Sequence, residues 1–222
     1  MFPLYDSTPR RNFPFVNYLI IALNIYFFWL ELTSVDPEAF ITTYSFIPQQ
    51  FALFNPASYL PILYSLFIHG GLLHILSNMW FLHIFGDNVE DRMGHFQYLI
   101  FYLLGGVAAT LGQYFIAPHS TIPMIGASGA ISAVAGAYFV FYRHSKVKAL
   151  VPFILIFTLI DIPVWLFLGY WFFIQIFSGL GSLTAMSVQD GGVAWFAHVG
   201  GFIFGYLVAK FFYRENYAAV SS

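Results

Sequence analysis

Cysteine is absent from this chain of 222 residues, and charged side chains make up only 8% of it. Without cysteine, the chain can form no disulfide, no thiolate metal site and no cysteine nucleophile. Soluble domains carry about 25% charged residues, so this chain has too few to cover a water-exposed surface. The formal net charge of −2 also argues against a nucleic acid as partner.

Apolar residues dominate instead, at 59% of the chain, and they come in runs long enough to span a bilayer. A helix needs ~20 apolar residues to cross the hydrocarbon core. We therefore predict an all-α polytopic membrane protein, folded as a single domain over residues 1–222 and surrounded by the lipid bilayer. The six predicted spans are 13–33, 72–86, 95–115, 128–143, 149–177 and 193–213.

The basic residues orient these spans. All eight Lys and Arg residues fall on one face when the chain is followed through six crossings. Basic loop residues mark the cytoplasmic side, so we predict that both termini are cytoplasmic. We expect a multi-pass protein of a bacterial inner membrane. The apolar segment 57–68 is too short to cross, so we expect it to lie in the interface within the loop 34–71.

Polar residues interrupt the predicted spans in three places. His74 and Asn78 are one helical turn apart on the same face of the second span. Ser128 lies in the Gly-Ala-Ser-Gly run 126–129, where a proline-containing loop turns into the fourth span. His198 lies in the sixth span. Polar side chains in hydrocarbon are costly and usually face a cavity or each other, so each position is a candidate functional site.

Helix rise gives the depth of each cluster in the membrane. At about 1.5 Å per residue, Ser128 lies roughly 8 Å below the outer surface of a hydrocarbon core ~30 Å thick. The same arithmetic places His74 roughly 10 Å deep and His198 roughly 7–8 Å deep. A serine, two histidines and an asparagine therefore share one layer of the outer leaflet.

Small residues offer a way to bring these clusters together. His198, Gly201 and Gly205 follow one another at helical spacing, so the histidine shares a face with two glycines that permit close helix approach. Gly129 and Ala133 begin a similar face on the fourth span. Packing the two faces together would place His198 beside the serine of the fourth span.

Each polar position also has a structural interpretation. Ser128 at the start of a helix is a typical N-cap residue, and His74 alone is as well explained by a buried hydrogen bond. Asp161, beside Pro163 in the fifth span, is compatible with either a functional role or a kink. The agreement of three depths favours chemistry at the serine and the histidines.

The same residues resemble the motifs of the rhomboid family of intramembrane serine proteases. The Gly-x-Ser-Gly motif of that family matches 126–129, and its His-x-x-x-Asn motif matches His74 and Asn78. Its Ala-His pair followed by a glycine-rich helix matches AHVGGFIFG from Ala197. The run GDNVEDRMG after the second span is also similar. Ser132 departs from the pattern, because some members carry there an aromatic residue that stacks on the catalytic histidine.

The resemblance implies a site and an activity. Ser128 would be the nucleophile and His198 its base, in a dyad without a third acidic member. The side chains of His74 and Asn78 would hold the oxyanion with the backbone at the serine, and Gly126 would let the loop approach the substrate. The implied substrates are transmembrane segments of other membrane proteins. No cofactor and no metal ion is implied.

Two other functions stay open at this level. A non-catalytic relative would bind membrane helices without cutting them. A small transporter would use His74 and His198 as an intramembrane proton relay, and its activity would not depend on Ser128. Gln113 resembles a water-handling glutamine of the family, but its spacing to the serine differs, so it is left out of the site.

Overall fold

The computed structural model describes residues 1–153, 156–184 and 193–220. The helices in this part of the chain are α1 (Phe15–Thr33), α2 (Pro37–Tyr44), α3 (Leu60–Tyr64), α4 (Leu72–Met93), α5 (His95–Ile116), α6 (Ser128–Phe141), α7 (Val164–Thr184) and α8 (Trp195–Val220). The strands are β1 (Phe2–Asp6), β2 (Lys146–Phe153) and β3 (Ile156–Pro163). Short 3₁₀ turns at Pro48–Gln50, Pro56–Tyr59 and Ser65–Phe67 complete the loop before α4.

Long apolar helices make this a multi-pass membrane protein. Within the described residues, three helices are long and apolar enough to cross a bilayer, namely α1, α5 and α7. A fourth crossing is added if Pro56–Phe67 and α4, which meet at 85°, count as one broken span. The apolar parts of α6 and α8 are shorter. Each of the six predicted segments overlaps one of the helices α1, α4, α5, α6, α7 and α8, but among the described residues only α1, α5 and α7 are long and apolar enough to cross on their own.

The all-α prediction is wrong in one respect, because three short strands of the chain form a small sheet. Within the predicted fifth span, residues 149–153 belong to β2 and residues 156–163 form β3, and the helix begins only at Val164. Strand β2 lies between β1 and β3, antiparallel to both. Hydropathy measures apolar content and not periodicity, so a hairpin rich in Val, Ile and Phe looks the same as part of a helix.

Two residues show why this segment is a hairpin. Pro152 and Pro163 lack the amide hydrogen that a helix interior requires, whereas strand ends accept them.

Asp161 of β3 stands opposite Lys148 of β2, and their charged groups lie 3.5 Å apart. Asp161 is therefore one half of a cross-strand ion pair and does not cap a kink in a membrane helix.

The sheet and the start of α1 lie on one side of the helix bundle, called here the sheet side. Strand β1 belongs to the N-terminus, whereas β2 and β3 connect α6 to α7. Glu90, near the end of α4, accepts hydrogen bonds from the backbone N–H groups of Val16 (2.9 Å) and Asn17 (2.6 Å), which are free at the start of α1. On the opposite side, Phe46 forms a backbone bridge with Met124.

Helix α6 is the centre of the bundle. Every residue from Gly129 to Tyr138 is buried, because α4, α5 and α8 all pack against this one short helix. Most of its side chains are small, which lets the neighbouring backbones approach closely. Gly201 and Gly205 of α8 lie against Gly129 and Ala133 of α6, as their helical spacing predicts.

Candidate active site

Ser128 is the first residue of α6, and its hydroxyl points across the bundle to α8. The Ser128 Oγ atom lies 2.9 Å from Nε2 of His198. The N-cap position belongs to Ala127, so the capping role that Ser128 might fill at a helix start is not the one it has here. The close packing of α6 on α8 thus joins two polar residues that are 70 positions apart in the chain.

The second ring nitrogen of His198 has a partner that the sequence did not reveal. Its Nδ1 atom lies 2.7 Å from Oε1 of Gln175, a residue of α7. Gln175 is only 5% exposed, and its amide nitrogen donates to the carbonyl oxygen of Trp171 at 3.3 Å. A single amide in a long apolar helix was a detectable signal, of the same kind that drew attention to His74.

Aromatic rings enclose the imidazole of His198. The ring of Trp171 lies 5.9 Å from it at an interplanar angle of 36°, and Trp195 meets it edge-on at 6.3 Å. Ser132 stands at the position where the family pattern has an aromatic residue in some members. Its hydroxyl donates to the carbonyl oxygen of Ser128 at 2.6 Å. The aromatic contact to His198 therefore comes from α7 and from the start of α8, not from α6.

His74, Asn78 and Gly126 meet beside the start of α6. The backbone of Gly126 has φ +109°, a left-handed conformation that favours glycine, and its N–H donates to the carbonyl oxygen of Ser65 at 2.8 Å. A Cβ atom at this glycine would lie 2.7 Å from the ring of His74 and 3.6 Å from Nδ2 of Asn78. Glycine thus lets the loop that leads into Ser128 lie directly on these two side chains.

A cavity of about 160 Å³ opens beside the serine. Its walls come from α4, α6, α7 and α8, and they are formed by Ser77, Asn78, Phe81, Ser128, Ile131, Ser132, Ala135, Trp171 and His198. His74 and Gly126 are not part of these walls, although both lie close to Asn78 or to each other at the start of α6. The amide nitrogen of Asn78 is buried and has no hydrogen-bond acceptor among the described residues. The cavity is therefore lined by the side chains of Ser128 and His198 and by Asn78, whose amide donor is uncommitted.

Gln113 is engaged elsewhere. Its Oε1 atom accepts a hydrogen bond of 3.1 Å from the backbone N–H of Phe196, one of the free amide groups at the start of α8. This contact holds the first turn of α8 against α5. Among the described residues, no group of three or more His, Asp or Glu side chains is placed to hold a metal ion.

Comparison with known proteins gives a consistent family. The model of the Rhomboid domain matches residues 56–215. The rhomboid protease GluP of Bacillus subtilis is 31% identical over 127 residues, which are 56% of this chain and 24% of that protein. The presenilin-associated rhomboid-like protein, mitochondrial, of Bos taurus is 26% identical over 193 residues, which are 84% of this chain and 45% of that protein.

A plant relative is named as a chloroplastic protein. Rhomboid-like protein 11, chloroplastic, of Arabidopsis thaliana is 40% identical over 65 residues, which are 29% of this chain and 23% of that protein. The matched part of this chain spans less than half the length of each of these curated relatives. Their names include mitochondrial and chloroplastic proteins, so the relatives do not single out the bacterial inner membrane that we expected.

Proposed function

This chain belongs to the rhomboid family, and from that premise we propose that it is an intramembrane serine endopeptidase that cleaves transmembrane segments of other membrane proteins. The observation that carries the proposal is the 2.9 Å contact between Ser128 Oγ and His198 Nε2 at the wall of a cavity. A hydroxyl bonded to an imidazole is the arrangement that activates a serine nucleophile.

In the proposed reaction, His198 takes the proton of the Ser128 hydroxyl as Oγ attacks the scissile carbonyl carbon. The protonated imidazole then gives that proton to the leaving amine as the peptide bond breaks. The acyl group stays on Ser128 until a water molecule, deprotonated by the same imidazole, releases it. Both halves of the reaction use one base.

The negative charge on the carbonyl oxygen has two kinds of stabilising group in this proposal. Asn78 lines the cavity, and its buried Nδ2 group, which has no acceptor among the described residues, would donate to the oxyanion. The first backbone N–H groups of α6, beginning at Ser128, are free of intrahelical acceptors and carry the positive end of the helix dipole. His74 lies directly against Gly126, in the loop that leads into Ser128, and would be the second side chain of the oxyanion site.

We propose further that residues 1–222 form one membrane domain that crosses six times, with the sheet side and both termini in the cytoplasm. The basic residues Arg10, Lys146 and Lys148 of the sheet side support this orientation. The 14 residues of α6 support the depth of the site, because such a helix is ~21 Å long in a core ~30 Å thick. Ser128 then lies well inside the bilayer and within reach of water from the outer side.

The test combines cleavage and labelling. Purified protein in lipid vesicles should cut some members of a panel of single-span helices, and a serine-reactive fluorophosphonate should label it. Ser128→Ala and His198→Ala should lose both properties and keep the thermal stability of the fold. Ser182→Ala serves as a control, because its hydroxyl is bonded to the carbonyl oxygen of Gly179, within α7 and apart from the cavity.

Each alternative has its own outcome in this experiment. Proteolysis by Ser128→Ala at the wild-type rate would disprove the assignment. Capture of helices by a wild-type protein that neither cuts nor reacts would indicate a non-catalytic relative. Proton-coupled uptake into vesicles that survives Ser128→Ala would indicate a transporter.

A further inference from the structure

The imidazole of His198 is bound at both of its nitrogens, and the partner at Nδ1 is an amide. Gln175 presents Oε1 to Nδ1 at 2.7 Å, while its own Nε2 group donates to the carbonyl oxygen of Trp171. The bond to Trp171 can form only when the amide nitrogen faces that carbonyl, so it orients the oxygen toward His198. Gln175 is not part of the cavity wall, so it can act on a substrate only through the histidine.

An amide oxygen accepts hydrogen bonds and cannot donate them. The contact therefore favours the form of His198 that carries its hydrogen on Nδ1 and leaves the Nε2 lone pair for the Ser128 hydroxyl. When Nε2 takes the serine proton, Nδ1 still donates to the same amide oxygen. One acceptor thus serves both the neutral and the protonated histidine.

We propose that Gln175 is a positioning residue that turns the Ser128–His198 pair into a Ser–His–Gln triad. In soluble serine proteases a buried carboxylate fills this place. Inside a bilayer a charged carboxylate is costly, whereas an amide supplies the acceptor without a charge. The inference rests on the proposed protease function for its catalytic meaning, although the contact itself is independent of it.

Kinetics of three variants test the role. Gln175→Met keeps the length of the side chain and removes the acceptor, and Gln175→Glu keeps an acceptor. The Met variant should lose about tenfold in kcat with little change in KM, by analogy with metal-binding histidines, where loss of the orienting partner costs about 10–100-fold. The Glu variant should recover a large part of that loss. Gln113→Met on α5 is the matched control. It makes the same substitution and removes the hydrogen bond from Phe196 at the start of α8, but Gln113 makes no hydrogen bond to His198.

The result is read as a difference between the two glutamines. A Met variant at position 175 with wild-type kcat would overturn the inference, and so would a Glu variant that cuts no faster than the Met variant at any pH. An equal loss of kcat in Gln113→Met would also overturn it, because the effect would then be one of helix packing. Thermal melts of all variants identify those that fail to fold.

A spectroscopic measurement keeps the two proposals separate. In ¹⁵N-histidine-labelled Ser128→Ala protein, the ring nitrogens of His198 report which of them carries the hydrogen, with His198→Ala used for assignment. We expect hydrogen on Nδ1, and a shift toward the other form when Gln175→Met is added. An unchanged spectrum would disprove the role of Gln175 even if the protease is active. A wild-type protein that neither cuts nor reacts would disprove the protease function, whatever the spectrum shows.

Discussion

Gly205 of α8 lies so close to α6 that a side-chain carbon on it would overlap the backbone carbonyl oxygen of Ala133. One turn earlier, a Cβ atom on Gly201 would overlap the carbonyl oxygen of Gly129 in the same way. These two contacts set the distance between the helices that carry the serine and the histidine. The geometry of the proposed dyad therefore depends on glycine at both positions.

Gly201→Ala should push α8 away from α6 next to the site. A displacement of about 1 Å at reacting groups costs on the order of 10²-fold in rate, so we expect kcat to fall by about that factor. The melting temperature should fall as well, because overpacking a tight interface typically costs ~1–3 kcal/mol. Steady-state cleavage assays and thermal melts measure the two effects.

Gly169→Ala on α7 is the control for the glycine substitution. A Cβ atom there would meet Phe139 at 3.9 Å, which is ordinary contact. This variant should keep its activity and its melting temperature. If Gly201→Ala behaved in the same way, the small-residue seam would not set the position of His198.

Asn78→Ala should lower kcat more than it raises KM. Loss of one donor from an oxyanion site typically costs ~10²–10³ in turnover, and the backbone donors of α6 should keep the loss toward the lower end. Asn78→Asp preserves the shape of the side chain and replaces the donor with an acceptor, so it should be at least as inactive. A double variant of His74→Ala and Asn78→Ala with full activity would contradict this role.

Single cysteines should report the direction of α6. The native chain contains none, and the exposed residues His119 and His144 lie in the segments that precede and follow this helix. Cysteine at position 119 should react with a membrane-impermeant thiol reagent on intact cells, and cysteine at position 144 should react only after permeabilisation. Glu38→Cys, in the short helix α2 that follows α1, should behave like position 119. If positions 119 and 144 reacted from the same side, α6 would not cross and the proposed depth of Ser128 would be wrong.

Stability at the sheet side should depend on the protonation of Asp6. Burial raises the pKa of this carboxyl group above its ordinary value, although hydrogen bonds from Tyr138 and Thr8 partly oppose the shift. The folded protein therefore binds this proton more tightly than the unfolded chain does. The contribution to the free energy of unfolding is fully present below the ordinary pKa and is lost as the pH rises through the raised one.

Asp6→Asn should remove this loss, because the amide oxygen still accepts from Tyr138 and carries no charge. We expect a melting temperature about 1–2 °C higher than wild type at neutral pH and a weaker dependence on pH.

Asp91→Asn tests a pKa shift of the opposite sign. Burial alone would raise the pKa of Asp91, but hydrogen bonds from Arg11 and Asn12 outweigh it and lower the pKa. Its contribution is present at neutral pH and disappears in acid, so equal responses of the two variants would contradict this account.

The sequence indicated which polar residues lie together in the fold better than it indicated their surroundings. Ser128, His74, Asn78 and His198 carry polar atoms in apolar segments, and such positions are few enough to be weighed one by one. The structure brings all four together, although only Asn78, Ser128 and His198 reach the cavity wall. Which polar side chain faces the cavity depends on the rotation of each helix, and spacing alone does not fix it.

Gln175 and the sheet were missed for one shared reason. Both lie in the long apolar run from 149 to 177, which hydropathy alone predicts to be a single span. Hydropathy carries no information on where a strand ends and a helix begins, so the rotation and start of α7 could not be predicted. Because the first residue of α7 could not be predicted, the face of the helix that carries Trp171 and Gln175 could not be placed next to His198.

The burial of α6 has a consequence for biogenesis. A helix whose residues from Gly129 to Tyr138 all contact protein, and which is made mostly of Gly, Ala and Ser, gains little from lipid and much from its neighbours. It should settle only after α8 has been synthesised, because α8 supplies the seam that encloses it. Ser128 would then meet its base in the last step of assembly. Under the proposed function, a nascent chain still leaving the ribosome carries no proteolytic activity.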